Sequence, residues 1–273
     1  MAAWAAHQPD EYHFDCLLSG PAVAIFCQRL NNANIISRDF VALQQYDRII
    51  TSTSSAETGW ETVWILKAKE RGIKTISILD HWTNYLSRFL LQGNYIFPDE
   101  IWVCDDYAQD LALACQQQLN TYPAVIQIPN YYLMDQVHYI HDHQKAPEQV
   151  EHTLFVSEPS NNPLYTAQSA LEDFIEFAIA VSPGNKVLRL RLHPREQISD
   201  YEAVCSHWNE KLAIHYSPNS RLEDDLCWAT WVVGCQTMAM VVALSAGSKV
   251  SSCLPASVAK SALPHREIPR IFQ

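Results

Sequence analysis

"WVVGCQTMAMVVALSAGSKVSSCLP", residues 231–255, decides the fold. An apolar run over 229–233 closes at Gly234, a small-residue apolar segment over 235–246 follows, and a second β-rich run fills 249–254. Strand, helix and strand in so short a span make a crossover unit, in which the two strands lie parallel. Neither run alternates apolar with polar residues, so the sheet they build is covered by helices on both faces.

The same rhythm extends outward. Upstream, strands are predicted over 152–157, 186–192 and 211–216, with helices over 167–181, 200–210 and 220–228. In the first half, strands over 14–19, 48–54, 74–80, 100–105 and 124–129 alternate with helices over 22–30, 56–71 and 107–119. Gly72 supplies a stop for the second of these helices. The rhythm breaks at "YYLMDQVHYIHDHQKAPEQVEH", 131–152, which is polar, histidine-rich and contains Pro147, and reads as an interdomain connection. The expected fold is therefore α/β, with two Rossmann-like parallel-sheet domains, 1–145 and 146–273, facing a cleft.

The chain has 273 residues, 48% of them hydrophobic and 18% charged, which is ample for two cores. Its formal net charge of −11 argues against nonspecific duplex binding, which needs clustered Lys and Arg, so no nucleic-acid partner is expected. A small anion is a different matter, because a helix N-terminus and a few basic groups suffice. The eight cysteines include no C-x-x-C pair, and several lie in apolar runs. They read as reduced, buried thiols, not as a disulfide framework or a zinc site. No basic-then-apolar leader opens the sequence, and no apolar stretch approaches the roughly 20 residues of a membrane span. The expectation is a cytoplasmic protein, at most peripherally associated with the inner face of the membrane. Oligomeric state is not legible.

In open parallel sheets ligands sit beyond the carboxyl ends of the strands. Here those ends are chemically rich. In "LRLRLHPRE", 188–196, Leu188, Leu190 and Leu192 alternate with Arg189 and Arg191, giving the strand a basic face that runs toward His193, itself held by Pro194. His193 either donates to a phosphate oxygen or is a structural histidine at a turn. After Gly234, Gln236 and Thr237 fall in the first helical turn, where free N–H groups attract an anion, or where Thr237 simply caps the helix. Ser157 and Glu158 stand at the end of the strand in "VSEPS".

"LDHWTNYLSRF", 79–89, puts Asp80, His81, Trp82, Asn84, Tyr85 and Arg88 at one strand end. Asp80 suits a general base or a sugar hydroxyl, His81 can modulate it, and Trp82 and Tyr85 offer flat faces for a sugar ring. The other reading is an N-cap aspartate followed by core aromatics. Asp105 and Asp106 pair carboxylates at the next strand end, where one of them suits a helix cap. Glu57 is either a first-turn helix acid or a cleft residue. His138, His141 and His143 read as solvated histidines, so no metal is expected.

Three stretches resemble a known group: "RLHP" (191–194), "GCQTMAMVVALSAGSKVSSCLP" (234–255) and the closing "LPHREIPR" (263–270). They are similar to the His-Pro, G-x-x-S/T-x-x-x-E-A-x-x-x-G-x-x-V and C-terminal motifs of GT-B fold bacterial glycosyltransferases. The group of surface-polysaccharide proteins that includes CDP-glycerol glycerophosphotransferases, Kdo transferases and bacterial sialyltransferases is the nearest in kind. Nucleotide-sugar 2-epimerases share the architecture, and 79–89 is similar in placement to their acidic strand-end segment. The resemblance implies a metal-independent transferase of surface polysaccharide biosynthesis, capsule included, using a nucleotide-sugar or CDP-polyol donor and a saccharide acceptor, with no cofactor. The second domain would hold the donor through His193, Thr237, Gln236, Arg191, Ser157 and Glu158. The first would hold the acceptor or sugar through Glu57, Trp82, Asn84, Arg88 and Asp105, with Asp80 and His81 as catalytic residues.

Two departures stand out. The glutamate usual in the last-domain helix is replaced within "VVAL", 241–244, and no strand with a glycine-bearing loop precedes the run at 14–19. Alternative readings are therefore an NDP-sugar epimerase or hydrolase on the same scaffold, and a non-catalytic, degenerate nucleotide-sugar-binding or assembly protein.

Overall fold

A computed structural model describes residues 1–30, 33–37, 42–52, 59–119, 122–144, 151–160, 162–181 and 186–272, Lys186 by its backbone alone. The chain forms two compact units, Met1–Tyr132 and Leu133–Gln273. The expected boundary at 145/146 lies outside the described residues.

The first unit runs α1 (Ala2–Ala6), β1 (Asp15–Cys16), α2 (Pro21–Arg29), β2 (Asn34–Ile35), β3 (Arg48–Thr51), α3 (Trp60–Lys69), β4 (Lys74–Ile78), β5 (Leu90–Leu91), β6 (Asn94–Tyr95), β7 (Glu100–Val103), α4 (Asp106–Gln116) and β8 (Ala124–Gln127). Its main sheet has four parallel strands in the order β3-β4-β7-β8. Ile76, Ile101 and Val103 are fully buried in it, and Ile65 and Ala68 of α3 and Ala112 of α4 are buried as well. Asp99 fixes the register by accepting from the Thr75 amide at 2.8 Å and its hydroxyl at 2.9 Å. The start of the chain refines the sequence expectation. Among the described residues only α1 precedes β1, yet β1 is followed by Gly20 at φ 59°, Pro21 at the first turn of α2, and a parallel partner, β2. A strand–glycine–helix opening is thus present in abbreviated form, as a two-stranded sheet of its own.

α5 (Tyr131–His143) corrects the reading of a polar connection over 131–143, while 145–150 lie outside the described residues. Leu133, Val137 and Ile140 recur at helical spacing and pack into the core of the second unit. Its three histidines have partners of their own: His138 lies beside Asp142 at 3.3 Å and His143 at the Tyr139 carbonyl within the helix, while His141 meets the Ala246 carbonyl after α9.

The second unit continues with β9 (Glu151–Val156), α6 (Ala167–Val181), β10 (Lys186–Arg191), α7 (Glu202–Trp208), β11 (Ala213–Tyr216), α8 (Leu222–Trp228), β12 (Trp231–Gly234), α9 (Met238–Ser245) and β13 (Lys249–Ser252). All five strands are parallel, in the order β11-β10-β9-β12-β13. Side chains alternate across the sheet. Phe155, Leu190, Trp231 and Val233 face α6 and α7 with Leu171, Phe174 and Tyr201, while Leu154, Val156, Val232 and Val250 face α8 and α9 with Leu226, Met240 and Ala243. Each fully buried Leu, Ile, Val or Phe contributes about 1.5–3 kcal/mol, so both faces hold the sheet. A Cβ on Gly234 would stand 2.8 Å from Val156 Cγ2 and 2.9 Å from its carbonyl oxygen, so glycine is what lets β12 lie against β9 where it meets the loop to α9.

Candidate functional site

The loops after β9, β10 and β12 bring together Ser157, Glu158, His193, Glu196, Gln236 and Thr237. Ser157 ends the central strand, its amide donating to the Arg191 carbonyl at 2.9 Å. Its hydroxyl lies against that of buried Tyr201, and both donate to Glu196 Oε1, at 3.1 and 2.6 Å. Glu196 Oε2 accepts from the His193 amide at 2.9 Å, which folds the His-Pro turn back over the strand end. The Arg195 amide donates to His193 Nδ1 at 3.1 Å. A ring nitrogen that accepts carries no proton, so in the neutral imidazole the proton sits on Nε2, which becomes the ring's donor. Burial, reinforced by Arg195 and opposed by Glu196, lowers the His193 pKa and favours that neutral form.

Glu158 crosses to the neighbouring loop, where its Oε1 accepts from the Gln236 amide at 3.1 Å. Burial pushes its carboxyl up to about 7; Glu196 adds to the rise, while hydrogen bonds from Gln236 and Tyr165 oppose it. The Gln236 side chain is occupied in holding loops, donating to the Tyr165 hydroxyl at 3.3 Å and accepting from the Ala262 amide at 2.8 Å. Thr237 is the N-cap of α9, its hydroxyl accepting from the Ala239 amide. Arg270, in the closing stretch, clamps the loop after β13 by donating to the carbonyls of Leu254 and Pro255.

The basic face expected on β10 is corrected. Arg191 donates to Asp225 Oδ2 at 2.6 Å and to the carbonyls of Asn219, Ser220 and Arg221. Arg189 meets Asp225 Oδ1 at 3.1 Å and stacks over Trp228 at 3.7 Å. Asp225 is fully buried and also accepts from Ser217 and Asn219. Both guanidiniums are therefore committed to fixing α8 on the sheet. Asp225 comes from the segment read only as a helix. Its signal was a carboxylate on an otherwise apolar helix face, which needs a buried cation to be stable there.

In the first unit, Asp80 and His81 are exposed beyond β4, with Asp80 Oδ1 3.9 Å from Arg88 Nη1. The neighbouring residues serve the fold. Trp82, 9% exposed, donates to both oxygens of Asp105 at 3.1 and 3.0 Å, so its ring is a core wall and not an open sugar platform. Asp105 caps α4 through the Ala108 amide. Arg88 Nε donates to the Thr83 carbonyl, and Asn84 makes the turn at φ 62°. Tyr85 is buried too, which raises its phenol well above the usual range. Glu57 lies outside the described residues. A cavity of about 980 Å³ in this unit is lined by α1, β1, α2, β3 and α3, including Trp4, Phe14, Asp15, Arg48 and Trp64, and by none of the expected site residues among those described.

Sequence reasoning missed Glu196, Tyr201 and Tyr165. The spacing His193-x-x-Glu196 carried the signal for the first, since an acid three residues after a turn start reaches back to its amide.

No protein-family model and no curated protein sequence matches the chain. A solved structure does: the UDP co-structure of S. aureus MnaA, at 11% identity and TM-score 0.59, covers 92% of this chain and 74% of that one. The two share a fold. That likeness matches the two-domain α/β architecture and the group of folds the motifs pointed to. Accessory secretory protein 1, 2 and 3 of Streptococcus pneumoniae (TM-score 0.48, 11% identity, 85% of this chain and 45% of that one) is weaker. So is a β-Kdo 2,7 transferase, KpsC, of Thermosulfurimonas dismutans (0.38, 10%, 83% and 84%). Among the described residues no helix is long and apolar enough to cross a membrane.

Proposed function

We propose that the second unit binds the phosphates of a nucleotide-activated sugar or polyol at the carboxyl ends of β9, β10 and β12. On this reading the chain is a metal-independent glycosyl- or glycerophosphoryl-type transferase of surface polysaccharide biosynthesis. The observation that carries it is the hydrogen bond from the Arg195 amide to His193 Nδ1, which leaves a neutral ring with Nε2 as a fixed donor at a strand tip. Such a donor stabilises the charge that develops on a departing phosphate without itself needing to be charged. The fold shared with a UDP-bound protein supports the ligand class. Asp80, exposed at the end of β4, is the base assigned to the acceptor hydroxyl, with His81 beside it.

Binding is read first by thermal shift with UDP, CDP and CMP, because a ligand held only by the folded chain stabilises it by about 2.7 kcal/mol at a hundredfold excess over Kd. His193→Ala should weaken nucleotide binding about tenfold or more while leaving the ligand-free melting temperature nearly unchanged. Transfer is then read as free nucleotide released from UDP-, CDP- and CMP-linked donors, and Asp80→Asn should slow release without altering binding. The absence of any shift with all three nucleotides would overturn the reading. A second reading, nucleotide-sugar binding without turnover, is favoured by the commitment of Arg189 and Arg191 to Asp225, which takes two cations from the leaving group. Binding with no release by any donor would select it.

A further inference from the structure

On the loop that leads into α9, the backbone amide just before the N-cap is already held by a carboxylate from the protein itself. Glu158 Oε1 accepts the Gln236 amide at 3.1 Å, one residue before the cap of α9. Glu158 is reached by Glu196 from the loop after β10, by Tyr165 from the loop after β9, and by the Cys253 thiol after β13, which lies 3.7 Å from Cys235 at the end of β12. His193, whose amide Glu196 accepts, completes the surroundings on the β10 side. Glu196 faces Glu158 as a second carboxylate, while the Tyr165 hydroxyl donates to it. A phosphate brought to the Gln236 amide meets two carboxylates within one small site, and like charges so placed do not all stay ionised.

We propose that Glu158 is a proton-linked gate on the nucleotide site: it holds the Gln236 amide as a carboxylate, and yields that amide to a phosphate oxygen by taking a proton from solvent. The protonated side chain then donates its O–H to the incoming phosphate, so that the acceptor which excluded the ligand becomes a donor for it. This inference rests on the nucleotide reading above and adds its regulation. The balance is one proton taken up per ligand bound whenever Glu158 starts ionised. Above about pH 7, where burial and Glu196 place the carboxyl, affinity falls by about tenfold per pH unit.

The probes are UDP-glucose and CDP-glycerol, diphosphate diesters that do not themselves titrate between pH 6 and 8.5. Calorimetry in two buffers of different ionisation enthalpy reads both Kd and proton uptake. Wild type should bind at least tenfold more weakly at pH 8.5 than at pH 6 and take up close to one proton at the higher pH. Glu158→Gln, a permanently neutral donor, should bind equally at both pH values and more tightly than wild type at pH 8.5. In the ligand-free protein the Gln236 amide resonance should titrate with a midpoint near 7 that the substitution removes. Kd independent of pH in wild type, or a slope that persists in Glu158→Gln and so belongs to His193, overturns the gate and leaves nucleotide binding standing. Failure of both proteins to bind either probe at either pH removes the nucleotide reading and the gate with it.

Discussion

Glu158 and His193 carry opposite consequences for stability. A carboxyl raised from 4.5 to about 7 in the folded chain is ionised more readily when unfolded. Its contribution is nil below pH 4.5, grows as a penalty between pH 4.5 and 7, and is constant above, reaching about 3 kcal/mol. Glu158→Gln should therefore raise the urea-unfolding free energy at pH 8 by an amount of that order and change it little at pH 4. His193, lowered in the folded chain, costs stability in the other direction, as pH falls through 6.5 and the unfolded ring takes up a proton first. At this scale the sequence named His193, Ser157, Glu158, Gln236 and Thr237 by strand-end position alone. It could not say that the Glu158 side chain turns onto a neighbouring loop, because that loop is brought close only by the pairing of β9 with β12.

Among elements, β10 and α8 are joined through one buried charge cluster. Asp225 is fully buried between two guanidiniums, and Asp225→Ala strands both without a counter-charge. A loss of about 3–5 kcal/mol is expected from denaturant unfolding, with α8 and the loop over 217–221 losing amide protection first. Gly234→Ala tests the junction of β12 with β9: with backbone at 2.9 Å from the new carbon, the strands must part. A cost of about 1–3 kcal/mol follows, read as a lower melting temperature. The alternation of Leu188, Leu190 and Leu192 with Arg189 and Arg191 was plain in the sequence, and it correctly put the arginines on one face. Which element covers that face was not legible, since the partner lies 36 residues downstream of Arg189. For α5 the reverse held: Leu133, Val137 and Ile140 were on view, but the polar and histidine-rich composition outweighed a three-residue stripe.

For the whole molecule, the two core clusters of the second unit are built, among the described residues, from Leu133 onward. A chain of residues 133–273 should accordingly fold alone, with a cooperative thermal melt and native-like near-ultraviolet dichroism from Trp208, Trp228 and Trp231. Non-cooperative melting would show that the first unit is needed to complete it. The first unit is organised differently: its four-stranded sheet is buried at the central strands β4 and β7 and open at its edges, while β1 and β2 form a separate pair beside a cavity of about 980 Å³.

Sequence alone determined the alternation of strands and helices around the two main sheets, their parallel sense and the candidate strand ends, though not α5 or the antiparallel pair β5 and β6. The former follow from local periodicity and from the crossover each helix imposes. Only the tertiary structure decided which ionisable groups are spent on the fold. Trp82, Asp105, Arg191 and Thr237 are taken up by neighbours, whereas Asp80, His81 and His193 are presented at strand ends. A charged side chain's role depends on the counter-charge and burial it meets, and both are set by segments distant in the chain.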